Sequence, residues 1–179
     1  MSSSTSTSCS NPQPDDAPTG YGIRAFRKGD ADALAALARR AILTIGPRAF
    51  SPAQVAAWAA RIGPELFLAR ANEDQTLLVA VDGHDRPCAY AILESDGHLD
   101  HLYCDPDHTR RGLAERLLAR AEHVAHAAGA THLHTEASEL ARPAFERAGY
   151  RITHRRDFAI EHAGKHVPIH NYAMEKLLA

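Results

Sequence analysis

The densest chemistry in the chain lies at residues 98–114, which read His-Leu-Asp-His-Leu-Tyr-Cys-Asp-Pro-Asp-His-Thr-Arg-Arg-Gly-Leu-Ala. The second half of this run, Asp105 to Ala114, sits between a β-prone segment and a long amphipathic one. In a strand-turn-helix setting the free N–H groups of the first helical turn point the same way and, aided by the helix dipole, hold an anion without any side chain. Gly112 lets the backbone come close to such a ligand, Ala114 is the next small residue, and Arg110 and Arg111 add positive charge. A diphosphate fits this turn, and so does an ordinary solvated helix start. Neither G-x-x-x-x-G-K-[ST] nor G-x-G-x-x-G occurs, so a P-loop NTPase and a Rossmann enzyme find no support.

Histidine is the outlying residue type, 12 of 179. The pairs His98-x-x-His101, His123-x-x-His126 and His132-x-His134 look like metal ligands. No H-E-x-x-H accompanies them, and a helix-surface pair in a His-rich chain is ordinarily solvated, so no metal is expected. On a regular strand His98, Asp100 and Leu102 share one face, and His101 and Tyr103 share the other.

The elements that must position these residues follow from periodicity. Residues 1–20, rich in Ser, Thr, Pro and Asp, offer almost nothing apolar to bury and are expected to be a disordered tail without a signal or transit peptide; the domain is expected over 21–179. A strand at 21–26 leads to a helix at 31–43 with Leu34, Leu37, Ala38, Ala41 and Ile42 at helical spacing. Ser51-Pro52 signals a second helix, running to about Ile62. Three strands at 76–82, 87–94 and 98–104 form a meander. A long helix at 111–128 then crosses over to a strand at 131–135, a connection that normally pairs strands in parallel. A short helix at 140–148 and strands near 150–161 and 167–175 complete a β-α-α-β-β-β-α-β-α-β-β order. This is an α/β (α+β) mixed sheet with helices on its faces.

Composition narrows the partners. Twenty Lys+Arg against 22 Asp+Glu leave a formal charge of −2, so no global basic field draws the chain to nucleic acid or to anionic membrane. No stretch approaches the ~18 to 20 apolar residues of a membrane span. Cys9, Cys88 and Cys104 are too few for a disulfide framework, which points to a cytoplasmic protein. The excess of Arg (17) over Lys (3) reads as composition rather than function.

The run Leu102 to Leu118 (LYCDPDHTRRGLAERLL) resembles the acyl-CoA signature of the GNAT superfamily of N-acetyltransferases, Q/R-x-x-G-x-G/A after a strand, with Thr109 at the Q/R position. Ala137 to Tyr150 resembles the family's N-x-x-A-x-x-F-Y-E-x-x-G-F helix, with Ser138 at the Asn position and Ala141, Glu146, Gly149 and Tyr150 matching. Two motifs in order, about 25 residues apart, are more specific than either. Phe50-Ser51-Pro52-x-x-Val55-x-x-Trp58 and Asn171-Tyr172-x-Met174-Glu175-Lys176 extend the similarity, towards a YafP-like bacterial branch, over about residues 21–178.

The resemblance implies a GNAT-like acyl-CoA N-acyltransferase fold whose fourth and fifth strands splay apart to admit pantetheine, with acetyl-CoA as co-substrate and a small-molecule amine as acceptor. It implies that Leu102, Tyr103 and Cys104 border the pantetheine arm, with the N–H near Leu102 on the acetyl oxygen. It likewise implies that the N–H groups of Arg110, Arg111, Gly112, Leu113 and Ala114 hold the pyrophosphate and that Ser138 belongs to the cofactor site. Asp100, His98 and Glu136 are the candidate bases, because a primary amine with a pKa of ~10.4 is almost entirely protonated at pH 7. Phe145 stands where the family carries its tyrosine acid, so that role passes to water, Tyr103 or Tyr172. Phe50 and Trp58 could line an acceptor pocket or simply fill the core. A homodimer is compatible with all of this. Two other readings stay open: a non-catalytic acyl-CoA-binding or sensing module, and a His-rich metal-dependent enzyme.

Overall fold

The computed structural model describes residues 20–73 and 75–178; the expected tail, apart from Gly20, lies outside them. Strands β1 (Tyr21–Ala25), β2 (Thr76–Asp82), β3 (Pro87–Leu93) and β4 (Leu99–Cys104) form one antiparallel sheet in the order β1-β2-β3-β4. Strands β5 (His132–Ala137), β6 (Arg151–His162) and β7 (Lys165–Leu177) form a second, in the order β5-β7-β6. The expected parallel pairing of β4 with β5 is reduced to one bridge, His98 to His134. Beyond that bridge the two strands part, as the splay requires.

Helix α1 (Ala31–Ile45) buries the stripe Leu34, Leu37, Ala38, Ala41 and Ile42. Helix α2 (Pro52–Ala59) starts at a capping box, in which the Ser51 side chain accepts from the Gln54 N–H and the Gln54 side chain accepts from the Ser51 N–H. It stops at Ala59 rather than Ile62, because the chain turns and a further helix follows. This is α3 (Pro64–Asn72), absent from the sequence expectation, begun by Pro64 at its first position and anchored by the fully buried Phe67. The element order therefore carries three helices, not two, between β1 and β2. Helix α4 (Leu113–Ala127) buries Leu113, Leu117, Leu118, Ala121 and Ala125, and α5 (Arg142–Arg147) accepts Pro143 in its first turn, where no N–H is needed.

The core has two layers, one on each face of the first sheet. Helices α1, α2 and α3 pack with Val79, Tyr90 and Ile92 on one face. Helix α4 packs with Leu78, Ala89, Leu99 and Leu133 on the other. The neck between the sheets depends on Gly97, at φ +90°, where a Cβ would stand 2.5 Å from the His132 carbonyl oxygen. Glycine is required there twice over, by conformation and by space.

Candidate active site

The pairing of β3 with β4 slips by one residue, so that Ile92 faces His101 and Leu93 faces Leu99. Asp100 is the extra residue of this β-bulge, and the expected alternation along β4 is corrected by it. Leu99, Leu102 and Cys104 pack on the α4 side, whereas Asp100 meets Arg70 of α3 and Tyr103 joins the α1–α3 layer. Backbone direction follows as well. The Asp105 N–H donates to Cys88 O of β3 at 2.8 Å, so strand alternation turns the N–H and C=O groups of Cys104 and Leu102 away from β3 and into the gap. Across the bulge the Leu99 carbonyl also faces β5, where the buried Thr135 hydroxyl donates to it at 2.7 Å.

The gap leads to the turn that precedes α4. Arg40 of α1 pairs with Asp105 at 3.0 Å and with Asp107, and the Thr109 hydroxyl donates to Pro106 O at 3.0 Å. Arg111 donates to the Tyr21 hydroxyl at 2.9 Å and to Asp107 O at 3.2 Å. Side chains thus pin the turn while its backbone is left open: among the described residues the N–H groups of Arg110 to Ala114 have no acceptor. Gly112 caps the helix at φ +73° with nothing within 4 Å of where a Cβ would stand. Leu113 is buried in the core, so its N–H alone is available. Arg110 adopts φ +60°, a conformation unusual for a side-chain-bearing residue. Ser138, in the turn before α5, accepts from the Ala141 N–H at 3.2 Å and lines the same cavity.

The three candidate bases are held differently. One oxygen of Asp100 accepts from Arg70 at 2.9 Å and lies 3.7 Å from His101 Nε2. His98 has a carboxylate on each ring nitrogen, Glu94 at 3.2 Å and Glu136 at 2.8 Å, and stacks on His134 with ring centroids 4.9 Å apart. Burial opposes charge on His98, but the Glu94 hydrogen bond and Glu136 outweigh it, and its pKa is raised. Each ring nitrogen of His98 therefore already faces a carboxylate. Glu136 also accepts from Arg156 at 2.9 Å. His101, buried against the Tyr90 hydroxyl at 3.0 Å, has its pKa lowered chiefly by that burial and is neutral. Burial pushes the Cys104 thiol up to about 12, which denies it a thiolate. Glu94, His98 and Asp100 also place three ligating atoms close together, but Arg70 already matches both carboxylates, at 3.1 and 2.9 Å. The pair His123 and His126 is exposed on α4.

Beside Asp100 opens a cavity of about 440 Å³. Phe50 and Trp58, which meet edge to face at 5.5 Å, stand on its wall with Tyr103, Phe158, Ile160 and Ile169. Phe50 is at once core and cavity wall, being buried in the α1–α3 layer. Tyr103 keeps its proton because burial raises its pKa strongly. The Tyr172 hydroxyl is committed to Glu139, to which it donates at 2.7 Å, and that bond first, then Arg142, holds Glu139 down at about 2. Phe145 is core, packed edge to face on Tyr150. Arg61, Arg70 and Phe158 line the cavity without being singled out in the sequence; Gly63-Pro64 is a local signal that could mark the start of the helix that carries Arg70.

A strand pair that parts over an anion-ready helix start, beside a cavity with a carboxylate on its wall, is the frame of an acyl-group transferase. Residues 47–175 match the profile of the acetyltransferase (GNAT) domain. The chain is 30% identical over 131 residues, 72% of its length and 79% of the relative's, to the uncharacterized N-acetyltransferase YafP of Escherichia coli (strain K12). Among solved structures it resembles a GCN5-related N-acetyltransferase from Rhodopseudomonas palustris, at TM-score 0.79 and 30% identity over 88% of this chain and 95% of that one. It also resembles PaiA N-acetyltransferase from Thermoplasma acidophilum in complex with coenzyme A, at TM-score 0.71 and 16% identity over 88% and 99%. The chain belongs to the GNAT family and is an N-acetyltransferase. Among the described residues no helix is long and apolar enough to cross a membrane.

Proposed function

We propose that the protein transfers the acetyl group of acetyl-CoA to the primary amine of a small amino-bearing metabolite by direct attack. The observation that carries this reading is the gap between β4 and β5, with the Leu102 and Cys104 backbone turned into it and the open N–H groups of Arg110 to Ala114 at its end. Pantetheine would pair with Leu102 and Cys104 as a further strand does, and the pyrophosphate would rest on the start of α4. The solved PaiA relative, which was crystallised with coenzyme A, supports that choice of donor. The Glu94, His98 and Asp100 cluster has no part as a metal site in this reading.

The amine must first lose a proton, and Asp100 takes it. Asp100 lines the cavity, and Arg70 fixes one of its oxygens while the other has no hydrogen-bond partner among the described residues. His98 acts instead as a positioning residue, a cation that holds Glu94 and Glu136 at the neck. The neutral amine then attacks the thioester carbon; the C–N bond forms, and the Leu102 N–H receives the developing oxyanion. The C–S bond breaks, the nitrogen gives up its second proton to water and the thiolate takes one from water, so the proton released overall is the one taken by Asp100. A thiol near pKa 8.5 leaves tolerably well unaided. The protonated Cys104 cannot accept the acetyl group, which favours direct attack over an acyl-enzyme.

Thiol release from acetyl-CoA, screened over amines, amino acids, aminoglycosides and peptides, tests this. Release that depends on one class of amine is expected. Acetyl-CoA binding without amine-dependent release would instead favour a sensing module.

A further inference from the structure

Among the described residues, the acidic and basic side chains that line the cavity are paired except at one position. Arg70 faces Asp100 and Glu94, and Glu136 faces Arg156 and His98. Arg61, in the turn after α2, borders the same cavity and is exposed. Among the described residues it has neither an ion pair nor a side-chain hydrogen bond. On His101, burial first disfavours a proton, Asp100 next favours one, and Arg70 and Arg61 add smaller effects against it. An arginine with no carboxylate of its own beside apolar walls is ready for an anion brought by a ligand, since its planar fork matches a carboxylate with two parallel hydrogen bonds. The same cavity has its apolar wall at Phe50, Trp58, Phe158, Ile160 and Ile169.

We infer that Arg61 recognises a carboxylate on the acceptor, which is therefore a small amino acid with an apolar side chain, its amine turned to Asp100 and its side chain laid on the aromatic wall. This deepens the transferase reading above and rests on it. The reaction remains the one already written, and Arg61 sets specificity without entering the proton transfers.

The test compares thiol release for apolar amino acids with release for the amines that lack only the carboxylate: phenylalanine against 2-phenylethylamine, leucine against 3-methylbutylamine. The amino acid is expected to have a kcat/KM higher by about tenfold or more, the scale of one charge-assisted pair. Arg61→Gln is expected to collapse that ratio, and Arg61→Lys to restore part of it; acetyl-CoA binding confirms that each variant is folded. A ratio unchanged by Arg61→Gln, or a preference for the decarboxylated amines, overturns the inference and leaves the transferase reading standing. Absence of transfer to every amine contradicts the transferase reading itself and removes the inference with it.

Discussion

The proposed donor half and the proposed acceptor half of the site are built in opposite ways. The proposed donor half comes from one continuous stretch, Leu99 to Ala114, and presents mainly backbone: a bulge, a gap edge and a helix start whose glycine sits at φ +73°. The proposed acceptor half is gathered from α2, α3, β4, β6 and β7, and presents side chains, some of them held by partners distant in sequence, as Arg70 is by Glu94 and Asp100. Backbone sites answer to local geometry, and side-chain sites answer to the whole fold. The two halves should therefore fail differently when they are altered.

The largest effect expected is on the acceptor side. Asp100→Ala lowers kcat by ~10² to 10⁴, the usual worth of a general base, while calorimetry finds acetyl-CoA binding nearly unchanged. A loss of only a few-fold removes Asp100 as the base. At the neck that joins the two halves, Gly97→Ala sets a Cβ against the His132 carbonyl and costs about 3 kcal/mol in urea denaturation. A cost below about 1 kcal/mol would show that the neck tolerates rearrangement.

On the donor side, Gly112→Glu places a negative charge where the phosphates would lie. It weakens acetyl-CoA binding by about a hundredfold or more, or about 2.7 kcal/mol. Folding stability falls only by about 1 kcal/mol, because open space surrounds Gly112 and the cost is its positive φ. If stability collapsed instead, the loss of binding would say nothing of the donor site. The smallest effect belongs to His98. Its pKa is raised in the folded protein, so its contribution is fully present below the unfolded value of about 6.5 and is lost as pH rises through the folded value. Stability measured from pH 6 to 9 should decline through that window, and His98→Gln should flatten the decline.

The contrast also explains what could be read before folding was known. The turn before α4 was legible because Gly112, its arginines and the flanking strand and helix are contiguous. The bulge at Asp100 was not, since one inserted residue leaves no mark on a pattern of alternation, and it moves Asp100 off the face of Leu102. Helix α3 was hidden by its short length and weak pattern, and with it Arg70. Arg61 could not be picked out among 17 arginines, because what distinguishes it is the absence of a partner among the described residues. His98 attracts a catalytic reading from its position, and the carboxylates of Glu94 and Glu136 on its two nitrogens, which the sequence does not show, are what favour the proposed positioning role.

Amide hydrogen exchange along β4, with and without acetyl-CoA, tests the central claim most directly. The Leu102 and Cys104 N–H groups face the gap, whereas Asp105 is already bonded to β3 at 2.8 Å. Acetyl-CoA should slow exchange at Leu102, Cys104 and Arg110 to Ala114 and leave Asp105 almost unchanged. Saturable acetyl-CoA binding with no slowing at Leu102 and Cys104 would contradict the account.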